Sequence, residues 1–189
     1  VIVEYEPLPV IDSAATGILA DSTRVHDNLN SNILLETQSG IDKDDAAFKK
    51  GDIKVRANFR HPRVTGIPIE NCGVIADYRA NTDELVVWSS TQIPHVLRDA
   101  LCDSLGISAH QIRVIAPDVG GGFGTKMQAL PEEIIVSHLA RLLHRPIKWT
   151  QDRMENIKAS FHARDVLVEA ELSANIDGTI VGMRAKAIC

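Results

Sequence analysis

The chain has 189 residues, a net charge of −5, 44% hydrophobic residues and only 4% aromatic ones. Such a composition suits a globular domain long enough to bury a core, with room for a partial second unit. Mild acidity argues against non-specific nucleic-acid binding, and no apolar run approaches a membrane span or resembles a signal peptide.

"VIVEYEPLPVI" begins as a strand and leaves it through Pro7 and Pro9, which remove ladder donors. The polar stretch from Asp12 to Gly40 reads as a connector crossing a surface, and "DKDDAAFKKG" as a short helix with an aspartate cap and Gly51 past its end. From Ile53 the pattern turns to strands. "DIKVRANFRHPRV" alternates, and "CGVIADYRA", the turn "NTDE" and "LVVWSS" form a hairpin. In "PHVLRDALCDSLG", Leu97, Leu101 and Leu105 recur at helical spacing and Gly106 suits the position after the helix.

"QIRVIAP" is a short buried strand that runs into the glycine-rich "PDVGGGFGTK". The next helix has Pro131 in its first turn, Glu132 and Glu133 at its positive end, and Arg141, His144 and Arg145 at its negative end; Pro146 stops it. "IKWT" is a strand, "QDRMEN" a turn or short helix, and "VLVEAELSA" with "TIVGMRAKAI" a hairpin around "NIDG". Strands and helices mix without regular βαβ repetition, so the fold class is α+β. Cys72, Cys102 and Cys189 are an odd, widely spaced set that suits reduced thiols rather than disulfides or an iron–sulfur site. No His-Glu-x-x-His or comparable cluster points to a protein-ligated zinc or iron. The chain opens on Val1, its first methionine is Met127, and it closes on a strand pattern, so it is expected to be an internal piece of a longer polypeptide.

The glycine run holds the main chemical question. In a phosphate-binding P-loop, glycine precedes the lysine and serine or threonine follows it; here Thr125 precedes Lys126 and Met127 follows. A dinucleotide fingerprint starting at Gly120 or Gly121 requires later glycines where Thr125 or Phe123 stands. Two readings remain open on spacing. One is a concavity of main-chain N–H donors for an anionic or oxo-bearing ligand, and the other is a tight turn closing a buried strand.

"VIAPDVGGGFGTK", "WSSTQIPH" and "WTQDRMEN" together resemble the molybdenum hydroxylases, the family of xanthine dehydrogenases, aldehyde oxidases and aerobic carbon monoxide dehydrogenase large chains. The detail of "IENCGVIADY", "HQIRVIAPDVGGGFG" and "KWTQDRMEN" is most similar to the carbon monoxide dehydrogenase type. The resemblance implies the tail of a hammerhead-type domain over 1–11, the connector over 12–52, and an incomplete first molybdenum-cofactor-binding domain over 53–189. It implies that Gln92 hydrogen-bonds an oxo ligand of the metal. Gly121, Gly122, Phe123 and Gly124 would form the loop whose backbone approaches the cofactor, with the aromatic ring helping to exclude water. Amide and main-chain donors suit that task because they hold oxo groups without competing as metal ligands. No catalytic residue is expected within this chain: the family's glutamate base, and the cysteine that holds copper in the carbon monoxide enzymes, would lie beyond Cys189.

The implied cofactor is molybdenum–molybdopterin in its cytosine dinucleotide form. Iron–sulfur clusters and FAD would sit on partner subunits, in a dimer of heterotrimers located in the cytoplasm with any membrane association made through partners. The implied reaction is substrate hydroxylation with water-derived oxygen. Aldehydes and N-heterocycles are the alternative substrates to carbon monoxide, and a non-catalytic assembly domain is the alternative of another class. Purine-oxidising relatives place a glutamate where Met127 stands, and the carbon monoxide enzymes commonly carry Asn-Lys where Thr125–Lys126 stands. Lys126 itself reads either as a partner of an anionic cofactor group or as a solvated lysine. Trp88 and Trp149 read as core or rim packing, and Asp152, Arg153 and Glu155 as structural ion pairing.

Overall fold

In the computed structural model, residues 2–40 and 46–189 are described. The elements run α1 (Ala14–Gly17), β1 (Glu36–Gly40), α2 (Ala46–Lys50), β2 (Ile53–Val64), β3 (Gly73–Arg79), β4 (Glu84–Ser89), α3 (Pro94–Leu105), β5 (Ile112–Ile115), α4 (Pro131–Leu143), β6 (Ile147–Thr150), α5 (Arg153–Ala159), β7 (Ala163–Ala174) and β8 (Ile180–Ile188). They build two four-stranded sheets, ordered β1-β8-β7-β2 and β5-β4-β3-β6, so the class is α+β. Contacts divide the chain into Val1–Val64 with Ala163–Cys189, and Thr65–His162.

The first unit is built on the β7–β8 hairpin, extended by β2 on one side and β1 on the other, all antiparallel. Asn175 to Gly178 makes the turn, with Gly178 at φ 88 and the Asp177 carboxylate accepting the Thr179 N–H. Phe48 of α2 supplies the buried apolar contact. Its carbonyl accepts from Ser173 Oγ at 2.7 Å, and the Arg184 guanidinium lies 4.3 Å over its ring.

Two expectations change here. Residues 2–11 form no strand; Pro7 and Pro9 lack the donors that a ladder needs. The polar stretch read as connector carries α1 and β1, and β1 pairs with β8 from Glu36↔Ile188 to Gly40↔Arg184. Every residue of β1 is exposed, so the strand has no alternation to reveal it. The aspartates proposed to cap α2 lie outside the described residues, apart from the helix itself.

The second unit carries the glycine run. β3 and β4 pair from Val74↔Ser89 to Arg79↔Glu84, β5 adds parallel to β4, and β6 adds antiparallel to β3. Alternate residues of these strands, Val74, Ala76, Leu85, Val87 and Ile112, meet Leu97 and Leu101 of α3 and Val136 and Ala140 of α4 in one core. Each helix buries an i, i+4 pair, the expected signature of one apolar face. Full burial of a leucine such as Leu97 or Leu101 stabilises by about 1.5–3 kcal/mol.

The helix ends follow their sequence signals. α3 ends at Gly106 in the left-handed region (φ 63), and α4 starts at Pro131 and ends at His144 (φ 48). Glu133 does more than complement the helix dipole: it is buried, its carboxylate accepting from the Leu130 N–H at 2.7 Å and from the Ser89 hydroxyl. Burial pushes its carboxyl above the usual range, against those two hydrogen bonds. Trp149 packs on the core as expected, and Trp88 joins it in lining a surface cavity of about 280 Å³ beside Ile75.

Candidate functional site

β5 delivers the chain into the loop from Pro117 to Leu130, which folds back across the residues that follow β4. Main-chain pairing fixes this return: the Gln92 N–H donates to the Lys126 carbonyl at 3.0 Å. Inside the loop, the Gly122 carbonyl accepts from the Thr125 N–H at 2.9 Å and the Thr125 hydroxyl at 2.7 Å, and Thr125 is buried. Threonine at this position therefore closes the turn upon itself.

The glycines serve distinct purposes. Gly121 and Gly124 adopt φ 95 and 92, and Phe123 between them is also left-handed at φ 53. A Cβ on Gly122 would stand 2.3 Å from Gln92 Oε1 and 2.8 Å from Gln92 Cγ, so the absence of a side chain there seats the glutamine. Phe123 lies against the loop, its ring within 3.0 Å of where a Gly121 Cβ would be, and it is 74% exposed. Gln92, Gly121, Gly122, Phe123 and Gly124 are thus brought together by the fold, across thirty residues of sequence.

Gln92 has a defined orientation. Its Oε1 accepts from two main-chain N–H groups, Gly124 at 3.1 Å and Lys126 at 3.3 Å. Only the oxygen can accept, so these donors settle which end of the amide is which and leave Nε2 as the donor end. Gln92 is solvent-exposed, so that donor is presented at the surface of the unit. The arrangement offers an amide N–H₂ beside a loop of bare backbone, with nothing that would ligate a metal directly. These residues fit a cofactor bearing oxo groups.

Glu70 was not picked out in the sequence, and of the two readings left open for Lys126 the solvated one is removed. The lysine is not solvated: it is 2% exposed, with Nζ donating to Glu70 Oε2 at 2.8 Å and to Ser90 Oγ at 2.6 Å. Glu70 Oε2 also accepts from the Gly120 N–H at 2.8 Å and the Ser90 hydroxyl at 2.9 Å. Desolvation pushes the Glu70 carboxyl up, but the hydrogen bonds from Lys126, Gly120 and Ser90 outweigh it and hold the carboxyl below its usual range. Residues 70 and 126 share no local spacing, and only the lysine's place directly after the glycine run hinted at a role.

"QDRMEN" proves to be a brace. Asp152 and Glu155 form a reciprocal capping box at the start of α5, with 2.7 and 2.8 Å bonds to each other's N–H groups. Arg153 donates to the carbonyls of Pro68 at 2.7 Å and Ile69 at 2.8 Å. The role is structural, as expected, but it is carried by caps and carbonyl bonds rather than ion pairs. Gln151 Oε1 accepts from the Cys72 N–H at 3.3 Å and from Asn156 Nδ2 at 2.9 Å. Cys72 is buried, and burial pushes its thiol up, away from nucleophilic character.

Comparison with known proteins gives the chain its family. The molybdopterin cofactor-binding domain family matches residues 25–189, so the chain belongs to that family. It is 39% identical over 144 residues to the nicotine 6-hydroxylase large subunit of Paenarthrobacter nicotinovorans, covering 76% of this chain and 18% of that protein. It is 32% identical to the carbon monoxide dehydrogenase large chain of Hydrogenophaga pseudoflava, covering 98% of this chain and 25% of that one. The crystal structure of quinoline 2-oxidoreductase from Pseudomonas putida 86 superposes with a TM-score of 0.81 at 35% identity, covering 94% of this chain and 22% of that one. The chain therefore spans a quarter or less of the length of these relatives.

Proposed function

We propose that this chain supplies the loop that holds the molybdenum centre in the large, catalytic subunit of a hydroxylase. The observation that carries the reading is the orientation of Gln92: two main-chain N–H groups engage Oε1 and turn Nε2 outward as a donor. Gln92 Nε2 would hydrogen-bond an oxo ligand of the metal. The loop Gly121–Gly124 would lie against the cofactor, and Phe123 would screen it from water. The molybdenum–molybdopterin group, in its cytosine dinucleotide form, would supply the redox chemistry for hydroxylation with water-derived oxygen. The residues of this chain bind it, orient it and limit solvent. Partner subunits would carry the iron–sulfur clusters and FAD, in a cytoplasmic dimer of heterotrimers.

Among substrates, the likeness over 98% of the chain to a carbon monoxide dehydrogenase large chain supports a carbon monoxide-oxidising type. A second reading, an N-heterocycle hydroxylase, is favoured by the 39% identity to a nicotine hydroxylase subunit and the structural match to a quinoline oxidoreductase. The test is to purify the parent polypeptide with its partners, measure molybdenum and pterin, and follow dye reduction with carbon monoxide, pyridine and quinoline compounds, and aldehydes. Stoichiometric molybdenum with turnover of one class is the expected result and selects the substrate. Parent protein that carries neither metal nor pterin overturns the reading in favour of an assembly domain.

A further inference from the structure

Glu70 holds the glycine loop at both of its ends. Its Oε2 accepts from the Gly120 N–H at the entrance and from Lys126 Nζ at the exit, and the Glu70 N–H donates back to the Gly120 carbonyl at 3.2 Å. Gly120 fits tightly: a Cβ there would stand 2.5 Å from Glu70 Cβ. Lys126 in turn is the residue whose main chain engages Gln92 twice, accepting from the Gln92 N–H and donating to Gln92 Oε1. The ammonium is buried with Glu70 and Ser90 as its partners, so the lysine is fixed at both its main chain and its side-chain tip. A carboxylate fixed in the fold is therefore connected to the amide of Gln92 through one residue.

Glu70 is itself held on its N-terminal side. Arg153 bonds the carbonyls of the two residues before it. Asn71 Nδ2 donates to the Gln151 carbonyl at 3.1 Å, and the Gln151 N–H donates to the Cys72 carbonyl at 2.9 Å. The residues on both sides of Glu70 are thus fastened to Gln151 and Arg153, at the entry to α5. The path runs from α5 to Glu70, from Glu70 to Lys126 and Gly120, and from Lys126 to Gln92.

We propose that Glu70 is a positioning residue for the molybdenum site: through its bonds to Lys126 and Gly120 it sets the loop that aims the Gln92 amide. This rests on the reading of Gln92 given above. It assigns to a carboxylate outside the glycine loop a role that neither the loop motif nor Gln92 displays. A bonded network around a buried lysine is a means of preorganising a donor so that it need not reorient during reaction. Small misplacements of such a donor are costly in rate, on the order of 10²-fold for about 1 Å.

The test uses the parent enzyme with its partners. Variants are Glu70→Gln, Glu70→Ala and Lys126→Met, each also combined with Gln92→Ala. Metal content, kcat and KM, the Mo(V) electron paramagnetic resonance spectrum, and amide hydrogen exchange of residues 118–128 in cofactor-free protein are measured. Glu70→Ala and Lys126→Met are expected to speed exchange across the loop, alter the Mo(V) spectrum, and lower kcat roughly 10- to 10²-fold with KM little changed. Glu70→Gln, which keeps an acceptor for Gly120, should fall between these variants and the unaltered enzyme. In the Gln92→Ala background, Glu70→Ala should add little, because its effect passes through Gln92. Unchanged loop exchange and an unchanged Mo(V) spectrum in Glu70→Ala, beside a Gln92→Ala enzyme that is impaired, overturn this proposal alone. Full additivity of the two substitutions overturns it as well. A Gln92→Ala enzyme with normal metal and turnover removes the reading on which it rests.

Discussion

Gly122→Ala separates a glycine needed for its neighbour from one needed for its backbone. Gly122 is not in the left-handed region, so alanine is permitted by the main chain, yet its Cβ would stand 2.3, 2.5 and 2.8 Å from Oε1, Cδ and Cγ of Gln92. Those are the movable atoms of an exposed side chain, so the collision is relieved by displacing Gln92. Displacement removes the bonds from the Gly124 and Lys126 N–H groups to Oε1. At about 0.5–1.5 kcal/mol for each net hydrogen bond, and with water able to replace both, stability should fall by about 1 kcal/mol. Losing a preorganised donor should lower turnover far more, by about 10²–10³-fold.

Gly124→Ala provides the contrast. Its Cβ would meet no atom within 4 Å, but φ 92 makes any side chain strained, at about 1–3 kcal/mol. Urea titration of the parent protein gives the stability change, and steady-state kinetics with metal analysis gives the rate. The two variants should order oppositely, with Gly122→Ala the more stable protein and the more impaired in Gln92-dependent turnover. A Gly122→Ala enzyme with the unaltered rate, or one whose loss simply adds to that of Gln92→Ala, would refute the reasoning.

Four further outcomes follow from the second unit. Glu133→Ala leaves the Ser89 hydroxyl and the Leu130 N–H without their acceptor and should cost about 2–6 kcal/mol in denaturant titration, at about 1–3 for each orphaned donor. Because the Glu133 carboxyl is raised by burial, its contribution should weaken as pH rises from the ordinary carboxylate value through the raised one; the stability difference between Glu133→Gln and the unaltered protein should therefore grow in the glutamine variant's favour over that window. Asp152→Ala removes the 2.7 Å cap on the Glu155 N–H and should cost about 0.5–2 kcal/mol, with faster hydrogen exchange in α5 and in residues 68–72. Phe123→Ala leaves the loop bonds intact, so molybdenum content should stay near normal while turnover falls; loss of metal instead would mean that the ring holds the loop rather than screens it.

Much of this architecture was legible because it depends on local patterns. Leu97, Leu101 and Leu105 marked α3, and Pro131 with the acidic first turn and basic last turn marked α4. The two hairpins were legible as strand segments flanking the turns "NTDE" and "NIDG". β1 was missed because Glu36–Gly40 is exposed throughout and owes its conformation to pairing with β8, a tertiary cause with no trace in its own composition. The opening residues showed the reverse error, since "VIVEYEPLPVI" read as beginning with a strand and residues 2–11 form none. Around the site, the glycine run and Gln92 could be named from motifs, but not the reason that they belong together. The Gly122 contact and the two bonds to Oε1 join segments thirty residues apart. Lys126 shows the limit most plainly: its place after the glycines left a solvated lysine and a partner of an anionic group equally open, and its pairing with Glu70, which arrives from before β3, has no trace in local spacing.

The most direct test of the central claim is anomalous X-ray diffraction at the molybdenum edge from crystals of the cofactor-loaded parent enzyme. The account predicts the molybdenum peak beside Gln92 and the Gly121–Gly124 loop, with Gln92 Nε2 within hydrogen-bonding reach, about 2.7–3.2 Å, of a light ligand atom on the metal. Gln92 Oε1 should still be engaged by the Gly124 and Lys126 N–H groups. A peak remote from this loop, or a metal facing Gln92 Oε1 with the amide reversed, would contradict it.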